Sequence, residues 1–230
     1  MLETGCLLND VSHTPGPPAG IRRAQKQKTR QALLDAALSL LEHQSLSSLG
    51  LREVTRAVGV APAAFYRHFK DTADLGVALV EETLDGLHGM IVTILAETAD
   101  TEQGDAERID RTIDLIARHV REYPAHVRFI IRERHGGVRP VREAIGAQLR
   151  RFAEEVAAVF ARDPGSRGWT PEDLLMLAGI YVDHMVMTVS GFLEADEQEE
   201  PAAARARQRV ASLARRQLRL IGLGRRHWLD

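Results

Sequence analysis

The chain has 230 residues, 44% hydrophobic and 27% charged, with a formal net charge of -2; that is room for a sizeable core in one or two domains. A single cysteine, Cys6, excludes an internal disulfide framework and fits a reducing cytoplasm. No basic-then-apolar export signal opens the chain. The most apolar run, Leu174–Val182, stops at Asp183-His184, short of the about 20 apolar residues of a membrane span. The expectation is a cytoplasmic protein without membrane insertion.

In chain order, residues 1–20 carry Pro15, Gly16, Pro17, Pro18 and Gly20 without apolar periodicity and read as a disordered tail. From Ile21 onward apolar residues recur at helical spacing. Leu33, Ala37, Leu40 and Leu41 mark a first long helix. Leu84, Leu87, Ile91 and Ile94 mark another, then Ile109, Ile113, Ile116 and Val120, then Val141, Ile145, Leu149, Phe152, Val156 and Val159. Pro124 interrupts one helix, and Gly136, Gly137 and Pro140 separate two more. Thr170, Pro171, Glu172 and Asp173 make a helix N-terminus with cap, first-turn proline and first-turn acids. The last helix starts at Pro201, after the acidic run Glu194–Glu200, and carries Val210, Leu213, Ala214, Leu218 and Ile221. No segment alternates like a strand, so the fold class is all-α.

Charge is unevenly spread. Between Ile21 and Lys70 stand nine basic and three acidic residues, a surplus of six on a chain of net -2, so the remainder carries -8. A basic segment on an acidic body is the electrostatic footprint of a nucleic-acid binder, with a solvated charged face as the plain alternative. The same segment contains LREVTRAVGVAPAAFYRHFK, Leu51–Lys70. Leu51, Val54 and Val58 make one helix's inner face, Gly59 supplies a left-handed turn, Val60 plugs the core and Pro62 starts a second helix. Phe65 and Phe69 point that helix inward, leaving Pro62, Ala63, Tyr66 and Arg67 outside with His68 and Lys70 at the end. Helix, glycine turn, helix is helix-turn-helix geometry.

With Thr29-Arg30 and Leu33–Ala37 before it and Phe65–Lys70 after it, this segment resembles the tetracycline-repressor (TetR) family. The resemblance implies a three-helix DNA-binding domain at 21–70 and a helical effector-binding and dimerisation domain at 71–230. It makes Tyr66 and His68 phosphate clamps and Lys70 a further phosphate contact. It turns Pro62, Ala63 and Ala64 toward base edges and brings Thr29 to the backbone. Arg22, Arg23 and Arg67 complete the expected DNA contacts, the first two as an arm toward a minor groove. The small tip Ala61–Ala64 departs from the polar tip common in the family; it can pack on thymine methyls but cannot hydrogen-bond bases.

Phe65–Phe69 together with Phe129–Arg134 resembles the narrower branch of FabR- and DesT-type repressors of unsaturated fatty-acid synthesis and desaturation. That implies a long-chain acyl-CoA effector; a regulator of efflux or catabolic genes that senses another apolar molecule stays open. Leu87, Ile91, Ile94, Ile113, Ile116, Phe129, Phe152, Met176 and Ile180 are the candidate pocket residues, each also readable as ordinary core. Arg132 and Arg134 are candidates for an anionic head group, or plain surface ion-pair residues. Asp183 and His184 form a structural pair, meet a ligand or bond across a dimer interface. His119, Glu122 and His126 share a face by spacing, but Pro124 breaks it; no metal or cofactor is expected. The expected partners are double-stranded operator DNA and a second copy of the chain, paired through the last two helices. Without a phosphate-binding glycine loop, a GxSxG segment or a Cys/His pair, an enzyme is not expected. An architectural DNA binder is a third alternative.

Overall fold

The structure, a computed structural model, describes residues 19–96 and 102–228. Most of the expected tail lies outside the described residues, and Ala19 and Gly20 already belong to the first helix. The elements are α1 (Ala19–Leu40), α2 (Leu51–Val58), α3 (Pro62–Phe65), α4 (Thr72–Ala96), α5 (Glu102–Glu122), α6 (Pro124–Glu133), α7 (Arg139–Phe160), α8 (Pro171–Asp196) and α9 (Ala202–Arg226), with short 3-10 turns at Leu46–Ser48 and Pro164–Ser166. The described residues contain no strand.

Local chemistry sets the helix ends. Thr170 and Asp173 form a reciprocal cap on α8: the Asp173 N–H donates to the Thr170 hydroxyl at 3.1 Å, and the Thr170 N–H donates to the Asp173 carboxylate at 3.4 Å. Asp71 and Asp74 do the same job where α4 begins. The Asp74 N–H donates to Asp71 at 2.8 Å and the Lys70 N–H to Asp74 at 2.9 Å. Gly76 lets α4 come close to its neighbours, since an added Cβ there would sit 2.5 Å from Leu46 and 2.8 Å from Val141.

Two apolar cores result. The first gathers Leu33, Leu34 and Ala37 of α1, Val54, Phe65 and Phe69 of the helix-turn-helix, and Leu75 and Leu79 of α4. Phe129, Ile130, Val141 and Ile145 of α6 and α7 complete it. Each such side chain contributes about 1.5–3 kcal/mol by leaving water. The second core lies among α5, α7, α8 and α9 around Ile113, Ile116, Phe152, Val156, Ala178, Tyr181 and Leu218. α4 runs from the first core into the second, where Ile91 is buried, and so joins the basic segment mechanically to the helical body. α8 is the one helix among the described residues long and apolar enough to cross a membrane, yet it packs on α5, α6, α7 and α9.

Candidate DNA-reading surface and effector cavity

The turn between α2 and α3 depends on Gly59, at φ 73° and ψ 30°. In that left-handed conformation the Gly59 N–H returns to the Arg56 carbonyl at 3.1 Å and the Val60 N–H to the Thr55 carbonyl at 3.0 Å. These bonds satisfy the last carbonyls of α2. Pro62 then opens α3, which is a single helical turn and ends earlier than the apolar spacing suggests. The chain tightens after Phe65, whose carbonyl accepts both the His68 N–H at 2.8 Å and the Phe69 N–H at 3.0 Å. This drops Phe69 into the core beside Phe65, with ring centres 5.5 Å apart.

Pro62, Ala63, Tyr66, Arg67 and Lys70 stand exposed on the outer side of this unit, as the sequence implies. Tyr66 is 63% exposed, a large aromatic side chain at the rim that meets the Phe65 ring edge-on, centre to centre 5.9 Å. Ala64 does not share that face. It is 7% exposed and turned inward, because it follows Ala63 by 100° of helix and precedes the core residue Phe65; its assignment to base edges is corrected. Arg23, Lys26, Lys28, Arg52 and Arg56 are exposed on α1 and α2, so the surplus of positive charge is at the surface. The Arg22 side chain lies outside the described residues. Thr29 is half-buried and its hydroxyl donates back to the Gln25 carbonyl at 3.0 Å.

Two features of this surface escaped the sequence. The Arg30 guanidinium lies 5.2 Å from the centre of the Phe69 ring, a cation–π contact that ties α1 to the end of the reading unit. His68 is half-buried with Nδ1 sealed from water and without a hydrogen-bond partner. Burial first, then the positive charges of Lys26, Arg67 and Arg30, hold its pKa below the usual imidazole range. The ring is therefore neutral at neutral pH and presents an N–H rather than a full charge.

An apolar cavity of about 60 Å³ lies in the body, walled by α4, α5, α6, α7 and α8. Of the candidate pocket residues, Leu87, Ile91 and Phe152 line it. Thr83, His88, His119, Val127, Ile130, Ile131 and Met185 line it as well. The His88 ring stacks on Phe152 at 4.3 Å with 4° between planes. His119 is held below the ordinary imidazole pKa by burial and then by His126, against the pull of Glu122.

The remaining expected pocket residues lie elsewhere. Ile113 and Ile116 are sealed in the second core, 0% and 1% exposed, and Ile94 is half-buried outside the wall. Phe129 belongs to the first core. Met176 and Ile180 face outward, 46% and 47% exposed, because α8 is apolar on almost every side and its period does not say which side is buried. Together with Met187 they make an exposed apolar stripe, beside Leu213 and Leu220 on α9.

The two arginines proposed for a head group are committed to the protein. Arg132 donates to the carbonyls of Gln44 at 2.6 Å, Leu41 at 2.7 Å and Glu42 at 3.4 Å, closing the C-terminal end of α1. Its neighbour Glu133, 1% exposed, accepts the Leu46 N–H at 3.0 Å. α6 therefore has one face on the cavity, through Val127, Ile130 and Ile131, and its last turn on α1. Arg134 pairs with Asp183 at 3.1 Å. His184 is half-buried with Nε2 sealed from water and without a partner, and burial holds it below the usual imidazole pKa against the opposing pull of the Ala214 backbone, so Asp183 and His184 are not a mutual pair.

Residues 33–79 match the model of the family described as bacterial regulatory proteins, tetR family. The chain is similar in fold to the fatty-acid degradation regulator FadR of Bacillus halodurans, at 14% identity and TM-score 0.62 over 81% of this chain and 94% of that one. It is similar at 15% identity and TM-score 0.61 to Bacillus subtilis FadR, a structure in complex with stearoyl-CoA, over 80% of this chain and 96% of that one. Salmonella enterica GusR is similar at 18% identity and TM-score 0.62, over 84% and 95%. At these identities the likeness is one of fold.

Proposed function

We propose that this regulator of TetR type is a cytoplasmic homodimeric repressor that grips an operator through Tyr66, Arg67, His68, Lys70 and the tip Pro62-Ala63, and releases or tightens on that DNA when an apolar effector enters the helical body. The observation that carries this reading is the juxtaposition on α6 and α4: the cavity wall and the support of the reading unit belong to the same two helices. A ligand that moved Ile130 and Ile131 would move Arg132 and Glu133 with them, and with them the end of α1. It biases the equilibrium only through different affinities for the two states.

For the effector, a long-chain acyl-CoA in control of fatty-acid genes is the first reading. It is supported by the mainly apolar lining and by the stearoyl-CoA in the Bacillus subtilis structure. The cavity's 60 Å³ is far below the roughly 300–1,000 Å³ of ordinary ligand pockets, so an alkyl chain must separate α4 from α7 at the His88–Phe152 stack. The same small volume favours the second reading, a repressor that senses a smaller apolar molecule. Selection from random duplex DNA would define the operator, and its binding at fixed salt would then be measured with saturated and cis-unsaturated long-chain acyl-CoA. A change in affinity of about tenfold or more with one of them is expected. No change with either would end the acyl-CoA reading and leave the DNA-binding one standing.

A further inference from the structure

A second, larger cavity of about 320 Å³ opens between α5, α8 and α9, next to the last residues of α4. Its wall is mixed. Leu95, Ile109, Phe160, Met185, Leu218 and Leu223 supply apolar surface, and Tyr181, Arg225, Arg108 and Arg226 supply polar groups. Two of these polar side chains are more than nine-tenths buried with a donor unused. Arg225, 6% exposed, spends one terminal nitrogen on Asp163 at 3.1 Å and lays its guanidinium 5.4 Å from the Phe160 ring, while its Nε has no partner. Tyr181 is 8% exposed, and its hydroxyl makes no hydrogen bond among the described residues.

A buried donor without an acceptor costs free energy, about 1–3 kcal/mol, and the Arg225 Nε is such an atom at this cavity, with the unbonded Tyr181 hydroxyl on the same wall. Burial holds the Tyr181 phenol above its usual pKa, so it stays a donor at neutral pH. The acids nearby are already engaged: Asp105 lies between Arg108 and Arg226, and Asp163 takes Arg225 and Arg108. For Asp163, burial works upward, but the Gly165 N–H, Arg225 and Arg108 outweigh it and lower the pKa, so it remains a carboxylate. Met185 lines both this cavity and the smaller apolar one. This flexible thioether side chain is thus common to the mixed-walled cleft and the apolar interior.

We propose that this cleft binds an amphipathic organic anion, its carboxylate received by Tyr181 and Arg225 and its hydrocarbon body lying along Ile109, Leu218 and Met185 toward the inner cavity. The acidic end thus lies at the α5–α8–α9 end of the body, where α9 gives the cleft the face opposite Leu213 and Leu220. This site would be a feature of the effector domain in the reading above, but its occupancy is measurable without DNA. The chain has only two tryptophans, Trp169 and Trp228, with ring centres 6.0 Å apart. Both belong to the segments that hold Arg225, since the turn at Pro164–Ser166 packs on α9. Their fluorescence reports this end of the molecule.

The test titrates the full chain with decanoate and, separately, with decanol, which has the same chain length without the charge. Saturable change in tryptophan emission with decanoate, and binding of decanol weaker by about tenfold or more, is expected. Tyr181→Phe keeps the ring and removes the donor, and Arg225→Gln removes the charge; each should weaken decanoate by about tenfold and leave decanol unchanged. Gly222→Leu improves helix propensity and fills the cleft, because a Cβ there already comes within 3.9 Å of the Tyr181 hydroxyl. It should fold as the parent does and bind neither compound there. No saturable response to decanoate, equal affinity for decanol, or undiminished decanoate binding by Gly222→Leu would each overturn the proposal. None of these results would touch the DNA-binding reading, which operator binding by the ligand-free protein tests.

Discussion

Arg132→Met is the sharpest probe of how the helical body supports the reading unit. Methionine keeps the apolar stem and removes the guanidinium, which reaches two α1-end carbonyls at 2.6 and 2.7 Å and a third at 3.4 Å. The third is too long to count for much. Two charge-assisted bonds, each worth about 1.5–3 kcal/mol net, give about 3–6 kcal/mol. Arg132 is only half-buried, and water can replace part of this at the freed carbonyls. A loss of about 2–4 kcal/mol follows, or roughly 4–16 °C in Tm for a chain of this size. Urea unfolding measures it directly. A protein stable by about 5–15 kcal/mol keeps about 1–13 kcal/mol after that loss, and the folded fraction read from the same urea curves corrects the operator affinity. Affinity should fall by about fivefold or more, because the end of α1 loses its anchor on α6. A destabilisation below about 1 kcal/mol would show that the arginine contacts are replaceable by water. Normal operator affinity in a clearly destabilised variant would show that α6 holds the fold without setting the grip.

Ala63 and Ala64 should separate cleanly. Ala63→Thr, on the exposed side, should leave stability within about 0.5 kcal/mol and shift base preference in a selection experiment, whereas Ala64→Thr should cost about 1–3 kcal/mol of stability by crowding the core. Acidification should strengthen DNA binding. Free His68 titrates below the ordinary value of 6.5 because of burial, Lys26, Arg67 and Arg30, and a phosphate beside it would raise that pKa, so binding takes up a proton as pH falls through the raised, DNA-bound pKa toward the free one. His68→Gln should flatten this slope in anisotropy titrations, and an unchanged slope would remove His68 from the phosphate contacts. The DNA-free protein should move the other way, losing stability as pH falls below 6.5, since His68, His119, His126 and His184 all hold protons less tightly when folded than when unfolded. Met187→Asp, on the 70%-exposed stripe of α8, should turn a dimer into a monomer in sedimentation at micromolar concentration; a wild-type dimer that ignores the change would place the subunit contact elsewhere.

Local patterns carried much of the molecule's description. Thr170 with Asp173, Pro124 and Pro140 set helix ends through groups a few residues apart, and Gly59 can be read as a turn because only its own backbone is at issue. The inward pair Phe65 and Phe69 and the exposed Tyr66 and Arg67 follow from spacing within a single turn. Spacing fails where the apolar pattern has no clear edge. Ala63 and Ala64 are chemically alike and adjacent, so only the packed position of Phe65 tells which one meets solvent. α8 offers apolar residues on nearly every side, so the outward course of Met176, Ile180 and Met187 was decided by where α5, α7 and α9 came to rest. The partners of Arg132, 88 to 91 residues away in the chain, and the meeting of Tyr181 with Arg225 have no local signature at all. The sequence by itself determined the helices, the basic helix-turn-helix segment and its turn, because those depend on short-range sterics and charge. Only the tertiary structure decided which apolar residues wall a cavity and which arginines are spent on the fold, because burial and hydrogen bonding are settled by residues distant along the chain.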